Sequence, residues 1–441
     1  MAGGSLFEHA AVRRGWVDFQ LGYQPAFNGL RGIGVTTIVL YHCLFAFEDA
    51  NQSWYVLPGA WMWLELFFTQ SGFLITSLLL DEWYRTGEIR LRNFYARRAL
   101  RLLPALLVVV VFVIVALSTF SPYRGARGPW LEVWGALFHR QNWVGASGST
   151  TFPFYLSHTW SLSIEEQFYA AVPIGLIVIM AWRRSLRRAI PLIAAGALAS
   201  ALWMGVLASR AAGPTDLARP YYGTDTRAQG LLVGVALAIA IHAGFWLRSD
   251  NGCHDRIARI WGIAGFAVLV VIAFTAKLGD DAWYHGGFLL CSLSVAGVLS
   301  ELLLHPEGRM ARAVSWRPFE ATGKMAYGLY LWHWPLIMVV DQFTSWPVLP
   351  TILLQVAAAF VVASVSYRYL ERPILDRWGS RFPRTTPERI AAHRERLLAL
   401  EAEDSPVEEA VTATVDLRDP AAGRRRPDGD ARPAPSATPL G

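Results

Sequence analysis

Lysine is almost missing from this chain. Lys277 and Lys324 are the only two in 441 residues, so nearly all of the positive charge is arginine. Cysteine is scarce as well: Cys43, Cys253 and Cys291 form no even set and no metal-ligand spacing, which excludes a disulfide framework and a zinc ribbon and leaves them as free, structural thiols. No P-loop, GxSxG elbow, HExxH or CxxC occurs, so the usual nucleotide-hydrolase, serine-hydrolase, zinc-protease and dithiol routes find no support. Charged residues make up 17% of the chain, against about 25% in soluble domains. No basic stretch outside the apolar runs is interleaved with aromatics, so nucleic acid is not an expected partner despite a net charge of +6. The first 27 residues lack a short apolar core with a small-residue cleavage site, and no cleaved signal peptide is expected.

What the chain has instead is apolar length. Hydrophobic residues reach 54%, the mean hydropathy is +0.31, and there are 19 tryptophans, which favour membrane interfaces. A membrane span needs about 20 mostly apolar residues. Ten candidates stand out, at 29–47, 59–80, 99–120, 166–182, 189–208, 229–247, 261–277, 286–304, 326–341 and 350–370. The expected fold is therefore all-α, a polytopic integral membrane bundle of about ten transmembrane helices.

Loop charge sets its orientation. The loop after the second span carries Arg85, Arg90, Arg92, Arg97, Arg98 and Arg101, and that after the fourth Arg183, Arg184, Arg187 and Arg188. Loops after the sixth and eighth are also basic, whereas those after the seventh and ninth hold no Lys or Arg. This alternation predicts cytoplasmic N- and C-termini. The organisation expected is a cytoplasmic segment at 1–21, a membrane domain at 22–380 and a cytoplasmic tail at 381–441. In that tail "PERIAAHRERLLALEAED" suits a charged amphipathic helix, and the Pro-, Gly- and Arg-rich end suits disorder.

Ionisable groups inside a span are costly and point to function. In "NGLRGIGVTTIVLYH", Arg31 and His42 are eleven positions apart, about 16 Å along a helix at 1.5 Å per residue. Arg31 then lies at the cytoplasmic mouth and His42 deep toward the outer side. His42 reads either as a general base or as a ring bonded to a neighbouring helix. Glu65 lies at nearly the same depth on the second span, where a carboxylate beside a histidine would fix its tautomer. Arg98 and Arg101, three apart, share a helix face. With Arg97 they read either as positive-inside anchors or as a phosphate clamp. "HTWSLSIEEQFY" brings Trp160, Glu165, Glu166 and Tyr169 to a membrane entrance, as capping residues or as an acceptor site. "YYGTDTRAQGLLVG" adds Asp225 and Arg227, which suit an ion pair with each other. His333, between Trp332 and Trp334, reads as part of an interfacial aromatic belt.

Together, "FNGLRGIGVTTIVLYH", "LELFFTQSGFLIT", "FYARRALRLLPAL", "TWSLSIEEQFY", "TDTRAQGLLVG", "YGLYLWHWPL" and "YRYLERPIL" resemble, in order, the membrane-bound acyltransferase 3 family. That family O-acylates cell-surface glycans, lipids and some secondary metabolites. The resemblance spans about residues 22 to 380. It implies a catalytic histidine and an essential arginine in the first span, matched by His42 and Arg31. It implies an Arg-x-x-Arg pair for acyl-CoA, matched by Arg98 and Arg101, and an acidic aromatic segment like Glu165 to Tyr169. Asn28 departs from the Asp often found there, and Thr69 and Gln70 stand where apolar residues are usual. Some relatives carry an esterase-like C-terminal domain. The tail here is short and polar, so transfer is expected within the membrane domain.

The expectation is a plasma-membrane, multi-pass O-acyltransferase using acyl-CoA, most simply acetyl-CoA, as donor substrate, with no permanently bound cofactor and no metal. His42, Arg31, Glu65, Glu165 and Glu166 are the candidate catalytic groups, and Arg97, Arg98 and Arg101 the donor-binding ones. Arg227, Asp225, Tyr169 and Trp160 are candidates for binding a glycan or lipid acceptor. The rival class is a transporter of an acylated glycan or lipid, which also suits intramembrane charge. Acceptor, acyl length and oligomeric state are not encoded in any motif.

Overall fold

Each apolar run becomes a helix, because a chain in lipid must satisfy its own backbone hydrogen bonds. The structure, a computed structural model, describes residues 21–45, 57–123, 125–148, 154–182, 186–244 and 253–399. Those residues are all-helical, with no strand. The long helices are α1 (Pro25–Phe45), α2 (Leu64–Thr86), α3 (Leu91–Thr119), α4 (Trp160–Trp182), α5 (Ile190–Ala208), α6 (Thr224–His242), α7 (Cys253–Thr275), α8 (Gly287–Leu304), α9 (Ala326–Phe343) and α10 (Val348–Ser366).

Eight of them, α2 to α8 and α10, lie in helices long and apolar enough to cross a membrane. The two outside that set, α1 and α9, are the ones with polar interiors. Arg31, Thr36, Thr37 and His42 interrupt α1, and two Tyr, two Trp, His333 and Asp341 dilute the aliphatic content of α9. Both have many buried positions, so they have less need of a lipid-facing surface.

Burial separates the centre from the rim. In the apolar window of α2, 72% of positions are buried, against 22% for the helix containing α10. α2 is central, packed on α6 and α8, while α1 packs on a short helix at Arg317–Lys324 and on α9 and α10. The rim helices turn apolar stripes outward; on α3, Leu103, Leu107, Val111 and Val115 recur every fourth residue and are exposed.

The α2–α6 contact is close enough to require glycine. A Cβ on Gly234 would fall 2.1 Å from the Thr69 carbonyl, and one on Gly72 2.1 Å from that of Leu231. Small residues on facing helices allow such an approach in membrane bundles.

Between α3 and α4 the chain forms two short helices, Arg127–Leu137 and Gln141–Ala146. Glu132 holds the return: its carboxylate accepts the backbone N–H groups of Phe154 (3.1 Å) and Leu156 (2.9 Å). Burial pushes this carboxyl up to about 8, and those N–H bonds pull against the shift. His139 joins the two short helices with φ 52°, the one non-glycine residue in the left-handed region among the described residues.

The chain divides into two compact units, residues 1–385 and 386–441. In the second, a helix runs from 387 to 399, the first part of the amphipathic helix expected there. The expected disordered end of the tail beyond 399, and residues 1–20 of the N-terminal segment, lie outside the described residues.

Candidate active site

The first polar layer is built on α1, α2, α3 and α4. Arg31, Arg98 and Arg101 line one cavity of about 130 Å³ together with Gln70, Ser71, Glu165, Glu166 and Tyr169. Ser71 Oγ donates to Glu165 Oε1 at 2.6 Å. The Arg98 guanidinium lies over the Tyr169 ring, 3.5 Å from its centroid. Stacking on a ring face leaves the in-plane N–H donors to bind something else. Arg98 Nε is buried with no hydrogen-bond partner among the described residues. Gln70 Nε2 donates to the Phe27 carbonyl at 3.0 Å and so ties α2 to the start of α1.

Two further spaces meet this cavity at Arg98. One, of about 560 Å³, lies between α3, α4 and residues 138–143, and includes His139, Glu166 and Tyr169 in its wall. Burial lowers the proton affinity of the His139 ring there. The other, of about 290 Å³, is lined by Arg97, Arg98, Arg101, Glu82 and Arg384. Arg97 thus stands apart from Arg31. Its Nη1 donates to the Phe382 carbonyl at 2.7 Å and its Nη2 lies 3.7 Å from Glu82.

The acidic pair was expected at an outer entrance, away from the arginines. Instead Glu165 and Glu166 share the cavity with Arg31, Arg98 and Arg101. The reason is that Ala136, His139 and Thr159, ahead of α4, reach the same cavity wall, so α4 begins deep in the bundle.

The second layer surrounds His42. Its Nδ1 is 2.8 Å from Nε2 of His333 on α9, the two ring planes within 13° of each other and the centroids 5.1 Å apart. Trp334 meets His42 edge-on at 5.2 Å. His333 Nδ1 is 2.6 Å from the Tyr330 carbonyl. His158 packs edge-on to His333 at 5.2 Å. The Tyr330 hydroxyl donates to the His158 carbonyl (2.7 Å), which leaves the Ser161 hydroxyl to donate to Tyr330 (2.7 Å). His333 is fully buried and His42 half-buried. His333 therefore belongs to the interior, not to an aromatic belt at the membrane surface. The signal that singles out His42, an imidazole within an apolar run, also singles out His333; its tryptophan neighbours obscured it. No set of three His, Cys, Asp or Glu among the described residues is arranged to hold a metal ion.

Glu65 does not join His42. Its carboxylate lies 3.3 Å from the Arg227 guanidinium and accepts from Ser292 at 2.7 Å, because this face of α2 is turned to α6 and α8. Both members of the pair have 0% exposure. Phe288 (4.3 Å), Tyr221 (5.0 Å), Trp160 and Phe68 (5.3 Å each) surround the guanidinium. Asp225 does not pair with Arg227. It accepts two bonds from Arg219, at 3.0 and 2.7 Å, and one from Trp203 at 2.8 Å. Of the acceptor candidates, Arg227 and Trp160 thus lie together, Asp225 lies nearer the surface, and Tyr169 lies in the arginine cavity.

Comparison with known proteins adds a second kind of finding. The profile of a family described as "Acyltransferase domain" matches residues 24–369. The peptidoglycan O-acetyltransferase OatA of Listeria monocytogenes is 33% identical over 366 residues, covering 80% of this chain and 56% of that protein. The O-acetyltransferase OatA of Staphylococcus aureus is 35% identical over 362 residues, 80% of this chain and 57% of its own. The putative peptidoglycan O-acetyltransferase YrhL of Bacillus subtilis is 31% identical over 388 residues, 84% and 57% respectively. The chain thus matches little more than half the length of these relatives. No solved structure matches it.

Proposed function

The chain belongs to the acyltransferase 3 family, and on that premise we propose that it is a plasma-membrane O-acetyltransferase acting on a surface glycan of the peptidoglycan type, with acetyl-CoA as donor. The observation that carries the reading is the meeting of Arg31 with Arg98 and Arg101 of α3 in one cavity, Arg31 lying on the helix that also carries His42. Three guanidiniums suit a polyanionic donor, since arginine binds phosphate through paired N–H groups. The names of the three relatives support an O-acetyl product.

In this reading α1 and α9 cross the membrane with the other eight helices, and both termini are cytoplasmic. The donor enters from the cytoplasm. Arg98 and Arg101 hold its phosphates, and its arm runs past Arg31 toward His42. Glu165 and Glu166 balance the guanidiniums while the cavity is empty, as membrane-embedded charge requires. The glycan hydroxyl arrives at His42 from the outer side. His42 takes the hydroxyl proton as the oxygen attacks the thioester carbonyl. The new C–O bond forms, the C–S bond breaks, and the proton passes from His42 to the departing thiolate. Arg227 and Trp160 shape the interior on the acceptor side.

Purified protein in detergent, given acetyl-CoA with and without peptidoglycan glycan fragments, tests this. Acceptor-dependent release of free CoA thiol, with a 42 Da gain on the glycan for each acetyl group (about one acetyl less one hydrogen), is the expected result. Binding of the glycan with no thiol release would instead identify a carrier.

A further inference from the structure

We propose that His333 is a positioning residue for acyl transfer: it holds His42 in the one neutral tautomer that turns its basic nitrogen, Nε2, toward the acceptor. The inference rests on the reading of His42 as general base and goes beyond it, because it assigns each proton on the pair.

The argument begins at a carbonyl. A backbone carbonyl oxygen accepts hydrogen bonds and never donates them. His333 Nδ1, 2.6 Å from the Tyr330 carbonyl, must therefore carry a proton. His333 is fully buried, and among the described residues its polar partners are the Tyr330 and Leu329 carbonyls and an imidazole, with no carboxylate to offset a second proton. An isolated buried imidazolium is costly, so the ring is neutral and its Nε2 carries a lone pair. That lone pair faces His42 Nδ1 at 2.8 Å, so the proton between the two rings sits on His42 Nδ1. With Nδ1 protonated, the neutral His42 has its lone pair on Nε2.

The chain of bonds thus has one direction: His42 Nδ1–H donates to His333 Nε2, and His333 Nδ1–H donates to the Tyr330 carbonyl. His333 plays the part that a carboxylate plays for many general-base histidines, and it does so without adding a charge to the membrane interior. When His42 accepts the hydroxyl proton at Nε2, the resulting imidazolium keeps a directed bond from Nδ1 to His333. The same order applies if the acyl group rests briefly on His42, which would then be acylated at Nε2.

The test uses the full chain with acetyl-CoA and peptidoglycan glycan fragments, and compares His333→Leu with His333→Gln. Gln can accept from His42 through Oε1 and donate to the Tyr330 carbonyl through Nε2; Leu can do neither. His333→Leu is expected to lower kcat about 10²- to 10³-fold with the KM for acetyl-CoA unchanged, and His333→Gln to recover to within about tenfold of the native rate. Native activity in His333→Leu would overturn the proposal. So would equal loss in both variants at native unfolding temperature, or a loss confined to KM. Should the Leu variant not fold, the imidazole ¹⁵N shifts of the native protein, assigned by the signals lost in His42→Gln, decide the matter: protonated Nδ1 and unprotonated Nε2 on His42 support it, and the reverse sinks it. Undiminished transfer by His42→Gln would instead defeat the general-base reading itself, whereas loss there beside a native His333→Leu defeats this proposal alone.

Discussion

Around Arg31 the polar groups are charged, partly open and grouped about a cavity; around His42, about three turns further along α1, they are imidazoles and hydroxyls joined in a hydrogen-bonded chain. A cavity walled by guanidiniums suits recognition of an anion. A chain of aligned imidazoles can take a proton but has nothing to hold phosphates. Because α1 carries one member of each group, Arg31 and His42, it fixes the distance between the cavity and the imidazoles. A third region sharpens the contrast: the Glu65–Arg227 pair is as polar as the first layer, yet it is sealed by aromatic rings and has no exposed surface. Charge alone therefore does not mark the proposed donor site; charge beside a cavity does.

The largest effect separates the two layers on α1. His42→Ala is expected to lower kcat by about 10²- to 10⁴-fold, the range of a lost general base, while acetyl-CoA binding measured by calorimetry stays native. Loss of donor binding in that variant would erase the distinction between the layers. Next in size is the sealed pair. Arg227→Leu leaves the Glu65 carboxylate buried beside Ser292 without its counter-ion, and is expected to cost about 3–5 kcal/mol of stability, read as a fall in unfolding temperature in detergent. Glu65→Leu combined with Arg227→Leu should recover much of that loss, because no lone charge then remains inside.

Some of this was legible in the chain itself. Arg98 and Arg101 share a face because they are three residues apart, and Arg31 and His42 keep their spacing because one helix carries both; local periodicity suffices for each. The all-helical fold follows from the apolar runs, and even the two helices outside the strongly apolar set, α1 and α9, overlap the runs at 29–47 and 326–341. Partners across helices were not legible. His42 meets His333 over 291 positions of chain, and Glu65 meets Arg227 rather than the histidine at its own depth. Those choices depend on which faces of α1 and α2 turn to α9 and α6, and on glycines such as Gly230, where a Cβ would fall 2.2 Å from the Glu65 carboxylate. The inward placement of Ala136, His139 and Thr159, which accompanies Glu165 and Glu166 to the arginines, likewise has no signature in a run that reads as a loop.

Two smaller effects refine the account of the cavity. Arg98→Gln together with Arg101→Gln is expected to raise the KM for acetyl-CoA about 10- to 100-fold and to leave kcat at saturating donor near native. A fall in kcat instead would move these residues from recognition toward chemistry. Glu132, which holds the return toward the cavity, should make stability depend on pH. Its carboxyl is raised from 4.5 to about 8 by burial, so the folded protein keeps a proton that the unfolded chain releases. The associated stability is fully present below pH 4.5 and is lost as pH rises through 8. Glu132→Gln is expected to flatten this decline in unfolding midpoints measured between pH 5 and 8.5.

The smallest effect belongs to the ion pair that most resembles Glu65–Arg227 on paper. Arg219 and Asp225 meet at 2.7 Å, closer than the 3.3 Å of the sealed pair, but their side chains are 36% and 39% exposed. Water and salt screen them, and each side chain regains rotamer freedom when its partner is removed. Arg219→Ala is therefore expected to cost no more than about 1 kcal/mol, and less as salt is raised, whereas the loss in Arg227→Leu should hardly respond to salt. Unfolding temperatures of the two variants at low and high salt decide this. A large, salt-insensitive loss in Arg219→Ala would mean that the short distance governs, and that the comparison between open and sealed charge in this bundle has been drawn along the wrong line.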